Sequence, residues 1–335
     1  MTGPAIAKVA DGRPGPQGGT TTPLSTMPLS TMPLSKYEGL GNDFLVLVDL
    51  DGSWPISAEM ARAVCDRHLG FGADGLLRAG PAAAGLGPGG AAPRSPAPDD
   101  PGDDMTFELR NADGSLAEMS GNGLRCLVHA AIDAGAVRAG PGDSLSVLTP
   151  AGRRRAHVCA LEDRWMWAST EMGTPRVRGP RERCNVGHGQ LLVDVGNPHL
   201  VVLGPHPATV DVATLGPALS QEVGAATGGL NVEFVALGPG RDELTMRVWE
   251  RGVGETLACG TGSVAAAAAL YHWGRVGTKV TVNQPGGAAE VELRPDGLAL
   301  LSGPSRRVGL CSWELPGPRG AGRASGSPGA SGGRP

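Results

Sequence analysis

Ser120-Gly-Asn-Gly-Leu-Arg-Cys-Leu-Val-His-Ala-Ala-Ile-Asp-Ala134 and Cys259-Gly-Thr-Gly-Ser-Val-Ala-Ala-Ala-Ala-Ala-Leu-Tyr-His-Trp273 share one pattern. Each opens on a Gly-x-Gly turn and continues as an apolar, Ala-rich run, which predicts buried helices over Leu124–Ala134 and Ser263–Trp273. An acidic residue precedes each turn, Glu118 in one and Glu255 in the other. The copies lie 139 residues apart (259 − 120), one in each half of the chain, which points to an internal duplication with one helix per half. A Gly-x-Gly at a helix start leaves backbone N–H groups bare, and with the helix dipole it makes an anion site. Two such ends facing each other would clamp a carboxylate from both sides, with Ser120 and Cys259 against its neighbouring atom.

The rest of the chain supplies strands around these helices. Phe44–Val48, Met105–Leu109, Leu191–Val195, Leu200–Leu203, Leu244–Trp249, Val280–Val282 and Glu290–Leu293 read as strands from apolar runs or alternation. A third helix is expected over Ser57–His68, with Ser57 as cap and Glu59 in the first turn. The pattern is mixed α/β.

The 335 residues allow two ordinary domains, yet the 54 Gly and 29 Pro mark segments outside the fold. Residues 1–32 read as a disordered tail carrying a Met-Pro-Leu-Ser repeat, with Met1, Met27 and Met32 as candidate starts. Residues 79–104 read as a flexible insertion and 316–335 as a second disordered tail. The expected organisation is an N-terminal domain over 33–150, a C-terminal domain over 151–300 that begins where Thr149-Pro-Ala-Gly152 breaks the pattern, and a return segment over 301–315.

The net charge of −4 argues against a nucleic-acid or polybasic membrane-surface binder. No apolar run is long enough to span a bilayer, and no signal peptide is recognisable. A cytoplasmic location is expected, and the six cysteines are read as free thiols. No P-loop or metal-ligand cluster is present in the sequence, so no cofactor and no metal are expected. The expected partner is a small-molecule amino acid, with no nucleic acid and no membrane.

A thiol at a helix N-terminus has a depressed pKa, because the dipole favours thiolate. Such a thiolate beside an amino-acid carboxylate would remove the α-proton, and an acid on the opposite face would return one, giving inversion without a cofactor. The helix ends would stabilise the charge that develops on the carboxylate.

Further motifs run in order through residues 33–310: Gly39-Leu-Gly-Asn-Asp-Phe44, Asp66-Arg-His-Leu-Gly-Phe-Gly-Ala-Asp74, Asn111-Ala-Asp-Gly-Ser115, Gly196-Asn-Pro-His199, Asn231-Val-Glu233, Glu250-Arg-Gly-Val-Gly-Glu-Thr256, Ala258-Cys-Gly-Thr-Gly262, Pro285-Gly-Gly287 and Ser302-Gly-Pro304. With Gly121-Asn-Gly123 they resemble the diaminopimelate epimerase family. The resemblance implies two pseudo-symmetric domains, each a curved barrel-like sheet around a central helix, and a homodimer. It also implies roles. Cys259 is a catalytic thiol, and Gly121, Asn122, Gly260 and Thr261 hold the reacting carboxylate. Glu250 and the Arg251 backbone hold the reacting ammonium, with His199 and Glu250 flanking the site. Asn42, Asn111, Asn197, Asn231 and the Arg251 side chain bind the distal half of the substrate, where an arginine fork suits a second carboxylate.

Two positions depart from the family pattern. Gly75 stands where a ligand-contacting Gln is common, and Ser120 stands where the family has its other cysteine. A serine hydroxyl is a far weaker acid than a thiol, so Ser120 can return a proton to a carbanion but is a poor base. Cys126 lies about 9 Å further along the helix axis and reads as core, as does His129. Conversion of LL- to meso-diaminopimelate in lysine and cell-wall supply is the leading reading. A same-fold racemase of another amino acid, in a specialised pathway, and a non-catalytic amino-acid-binding homologue are the alternatives.

Overall fold

The computed structural model describes residues 31–82, 102–117, 119–180 and 189–314. Most of both expected tails, most of the insertion, Glu118 and Cys184 lie outside the described residues.

The first half contains β1 (Thr31–Gly39), β2 (Asn42–Val48), α1 (Ala58–Cys65), β3 (Gly75–Gly80), β4 (Met105–Asn111), β5 (Leu116–Ala117), α2 (Gly121–Asp133), β6 (Ser144–Thr149), β7 (Gly152–Glu162) and β8 (Trp165–Gly173). The second half contains β9 (Arg176–Pro180), β10 (Gly189–Asp194), β11 (Pro198–Leu203), α3 (Val212–Gly224), β12 (Asn231–Leu237), β13 (Glu243–Glu250), β14 (Gly254–Thr256), α4 (Gly260–His272), β15 (Lys279–Gln284), β16 (Gly287–Leu293) and β17 (Ala299–Glu314).

The duplication expected from the two Gly-x-Gly helices extends to the strands. In the first half β1, β2, β3, β4, β6, β7 and β8 pair in that order, with β2–β3 and β4–β6 parallel and the rest antiparallel. In the second half β10, β11, β12, β13, β15, β16 and β17 repeat the order, with β11–β12 and β13–β15 parallel. β17 also pairs with β1 and with β8, which closes the first set into a barrel. The second set closes through β17–β8 and through β9, which follows β8 in the chain and pairs with β10. The long strand β17 and its partner β8 therefore belong to both barrels.

Each barrel is filled by one helix. Leu124, Leu127, Val128 and Ala131 of α2 pack against Phe44, Leu77, Phe107, Val147, Val158 and Met166. The run Val264–Leu270 of α4 packs against Leu191, Val201, Met246, Val280 and Val291. α4 is apolar on every side, as a helix enclosed by a sheet must be. Its alanines combine high helix propensity with a radius small enough for the barrel interior.

Several boundaries differ from expectation. Thr31 and Met32 belong to β1 rather than to a tail, and Met32 is buried beneath Leu45 and Leu47. Ala79 and Gly80 are the end of β3, paired to Phe107 and Thr106, rather than the start of an insertion. The expected break at 150 is a tight turn within the first barrel: Thr149 pairs with Gly152, and Val147 and Ala156 on either side share one core. The helix at Ser57 ends at Cys65, before His68, and Ser57 Oγ accepts the Met60 N–H at 3.1 Å as its cap. The central helices begin at Gly121 and Gly260, so each Gly-x-Gly is the first helical turn itself and not a turn ahead of it.

Candidate active site

The geometry starts from the two caps. Ser120 is the N-cap of α2, with φ −143° and ψ 120°. Its Oγ accepts the Gly123 N–H at 3.0 Å. Cys259 is the N-cap of α4, with φ −130° and ψ 118°, and its Sγ accepts the Gly262 N–H at 3.4 Å. The caps thus consume one N–H of each helix end, which corrects the expectation of wholly bare ends. The Gly121 and Asn122 N–H groups and those of Gly260 and Thr261 have no acceptor in the helices that they begin.

The ends abut. A Cβ built on Gly260 would stand 3.5 Å from the Gly121 Cα. Cβ atoms on Gly121 and Gly260 would stand 2.6 and 2.8 Å from the same Leu301 Cδ2 atom. Leu301 lies on β17, fully buried, and it seats both helices. A methyl on either glycine would have to displace the tip of the Leu301 side chain.

Around Cys259 the site is acidic and enclosed. Cys259 is 5% exposed, and its N–H donates to Gln284 Oε1 at 2.9 Å. Its thiol lies 3.5 Å from Thr261 Oγ1, and the nearby Glu250, at the end of β13, accepts from Thr256 Oγ1 at 2.5 Å. Behind it, His199 Nδ1 lies 2.7 Å from Glu233 Oε1, and His199 Nε2 lies 2.9 Å from Asn197 Oδ1. Both His199 and Glu233 are fully buried.

This environment reverses one expectation. The Cys259 thiol is not lowered but raised well above its ordinary value, first by burial and then by the carboxylates of Glu250 and Glu233. The Thr261 hydroxyl and the Gly262 N–H at the helix end pull the other way and lose. Burial also raises Glu250, against the hydrogen bond from Thr256 and the interaction with the Cys259 thiol. The form at neutral pH is therefore the thiol.

Around Ser120 the pattern differs. Asn42, the first residue of β2, donates from Nδ2 to Asp74 Oδ2 at 2.6 Å. Its Oδ1 accepts from Asn122 Nδ2 at 3.5 Å. Asn231 and Arg251 are brought together across β12 and β13: the Arg251 N–H donates to Asn231 Oδ1 at 2.9 Å, and its Nη1 to the Gly229 carbonyl at 3.3 Å. Asn111 is turned to the Ser115 hydroxyl at 3.0 Å, inside its own turn. Glu255 lies on the protein surface, paired with Arg247 at 2.6 Å. Gly75 has a local cause: a Cβ there would stand 2.9 Å from the Arg110 carbonyl of the adjacent strand. Cys126 and His129 are fully buried in the first core. Glu233, Gln284, Arg125 and Leu301 border the site without having been singled out as candidates. Arg125 had a signal, a charge inside an apolar helix, and Glu233 closes the Asn231-Val-Glu233 motif. The five cysteines among the described residues are free.

The family model for diaminopimelate epimerase matches residues 34–177 and 191–308. The chain belongs to the diaminopimelate epimerase family. The diaminopimelate epimerase of Corynebacterium glutamicum is 39% identical over 80% of this chain and 93% of its own length. That of Mycobacterium avium is 39% identical over 81% and 93%. Among solved structures, a hydroxyproline epimerase from Agrobacterium vitis superposes with a TM-score of 0.62 at 18% identity, covering 87% of this chain and 94% of its own. A Bacillus anthracis phenazine biosynthesis protein of the PhzF family gives 0.62 at 13% identity, over 84% and 99%. Those two likenesses are of fold alone. No helix among the described residues is long and apolar enough to cross a membrane.

Proposed function

We propose that the chain is an isomerase that converts LL-diaminopimelate to meso-diaminopimelate by removing and returning the α-proton. The abutting N-termini of α2 and α4, capped by Ser120 and Cys259, carry this reading. The reacting carboxylate is held by the N–H groups of Gly121, Asn122, Gly260 and Thr261, where the helix dipoles stabilise its growing charge. Glu250 and the Arg251 backbone hold the ammonium. Asn42, Asn111, Asn197, Asn231 and the Arg251 side chain take the distal half.

Substrate binding itself switches on the base. Burial, and then Glu250 and Glu233, keep Cys259 protonated in the free enzyme. An ammonium placed against Glu250 offsets that negative field, and a cation near a thiol favours thiolate. The thiolate then takes the α-proton, and Ser120 returns one from the opposite face. That step leaves a thiol and a serine alkoxide, which regain their starting protonation by exchange with water; because Ser120 is a weak acid and a poor partner for this exchange, it limits turnover in both directions. No cofactor takes part in this scheme. We further propose that each barrel is a domain, with the division after Gly173, and that the enzyme is a cytoplasmic homodimer supplying lysine synthesis.

The test is incubation with LL-diaminopimelate in D₂O, read by mass and by chiral separation. Deuterated meso product is expected. Deuterium uptake with retained configuration would make Cys259 a one-base site, and no uptake would remove the reading.

A further inference from the structure

The two helix ends are alike in backbone and opposite in buried charge. Beside the α4 end stand two carboxylates, Glu233 and Glu250. The α2 end has a cation instead. Arg125 lies five residues beyond Ser120, and the matching residue of α4 is Val264 (125 + 139). Arg125 is completely buried. Its Nη2 donates to Asn122 Oδ1 at 2.5 Å and its Nε to the Pro304 carbonyl at 3.3 Å. Its Nη1 has no partner, and no carboxylate pairs with it among the described residues. Gly303 makes room for it, since a Cβ there would stand 2.9 Å from Nη2. Burial lowers its pKa to about 10, which leaves it charged at neutral pH.

Both ends of the Asn122 amide are thereby engaged, Oδ1 by Arg125 and Nδ2 by Asn42. The first turn of α2 is locked, and its free N–H groups keep a fixed aim. An unneutralised cation in a low-dielectric interior also exerts a strong field on its surroundings. Proton removal from the α-carbon moves negative charge onto the carboxylate oxygens at this helix end.

We propose that Arg125 is a positioning residue of the epimerisation: it fixes Asn122 and supplies the buried positive charge that offsets the charge gained by the carboxylate in the transition state. This rests on the carboxylate being bound between the two helix ends. A merely structural arginine predicts a different response, because replacing a buried unpaired charge by an apolar side chain is often neutral or stabilising.

The experiment compares the full-length chain with Arg125→Met and Arg125→Lys, measuring kcat and KM for LL-diaminopimelate together with the melting temperature. For Arg125→Met, kcat falls about tenfold or more, less than for loss of a direct oxyanion donor, with KM little changed. Its melting temperature stays level or rises, and Arg125→Lys recovers part of kcat. A kcat for Arg125→Met within about twofold of native overturns the proposal. Where Arg125→Met does not melt cooperatively, Arg125→Lys decides: reduced kcat at native melting temperature supports the proposal, and native kcat overturns it. A native chain that neither inverts LL-diaminopimelate nor exchanges its α-hydrogen overturns the parent reading and this one together. A native chain that turns over beside an equally active Arg125→Met overturns this one alone.

Discussion

Gly121 and Gly260 lie side by side: a methyl group on Gly260 would stand 3.5 Å from the Gly121 Cα and 2.8 Å from the Leu301 side chain beneath both. Gly260→Ala is expected to displace the Leu301 side chain that seats both helix ends and lower kcat, while Leu301→Ala costs about 2–5 kcal/mol of stability as a core truncation. The double variant gives the added methyl a cavity to enter. It should regain part of the activity lost by Gly260→Ala, as measured by turnover in a double-mutant cycle.

Ser120 and Cys259 occupy matching caps, and each accepts an N–H from the glycine three residues on. A thiol therefore fits the Ser120 position with the same local bond. Ser120→Cys should raise the epimerisation rate by roughly 10²-fold, the size of a positioned acid–base group. The gain in kcat/KM should be the same from LL and from meso, because the equilibrium constant ties the two directions. An unchanged or lower rate in progress curves would contradict the assignment of Ser120 as the group that limits turnover.

The Cys259 thiol is raised by burial and by two neighbouring carboxylates. Glu250→Gln removes one of these negative neighbours, so the thiol of the free enzyme should ionise at lower pH, seen as thiolate absorbance near 240 nm. Epimerase activity should fall all the same, because the ammonium loses its anchor. A thiol that ionises at higher pH in Glu250→Gln would show that Glu250 chiefly accepts the thiol proton.

His129 predicts a stability profile. It is buried, with Nδ1 3.1 Å from Ser305 Oγ, and burial lowers its pKa against the pull of Asp133. The unfolded chain binds this proton near pH ~6.5 and the folded chain only below that. The stabilising contribution is present above pH ~6.5 and is lost as pH falls through the lowered folded value. The melting temperature should drop over that interval, and His129→Gln should flatten the curve there.

The parts of the fold legible in the sequence were those with a strong local signal. α2 and α4 announce themselves by apolar length, and strands such as β2 and β13 by apolar runs or alternation. β7 did not, because Arg153, Arg154 and Arg155 run consecutively where alternation was needed. α3 was hidden by Gly216 and Pro217 in its middle; Gly216 is there because a Cβ would stand 2.4 Å from Trp249. β17 was obscured by Pro304 within it. In the site, most of the polar residues inside ordered motifs were found. Glu233 was not singled out, because burial and the bond to His199 join residues 34 apart. The raised Cys259 thiol escaped for the same reason: a helix end is local, whereas the carboxylates that outweigh it arrive from β12 and β13.

The shared strand β17 has a consequence for synthesis. Thr31 pairs with Glu314, and Tyr37 with Arg307, so the first barrel is closed by nearly the last residues of the described fold. While the chain grows on the ribosome, the β1 edge facing β17 stays open until those residues emerge. Closure waits on contacts spanning almost the whole chain, which makes folding slow and late. A chain cut before Ala299 would leave both barrels with unpaired edges, so neither half is built to mature ahead of the other.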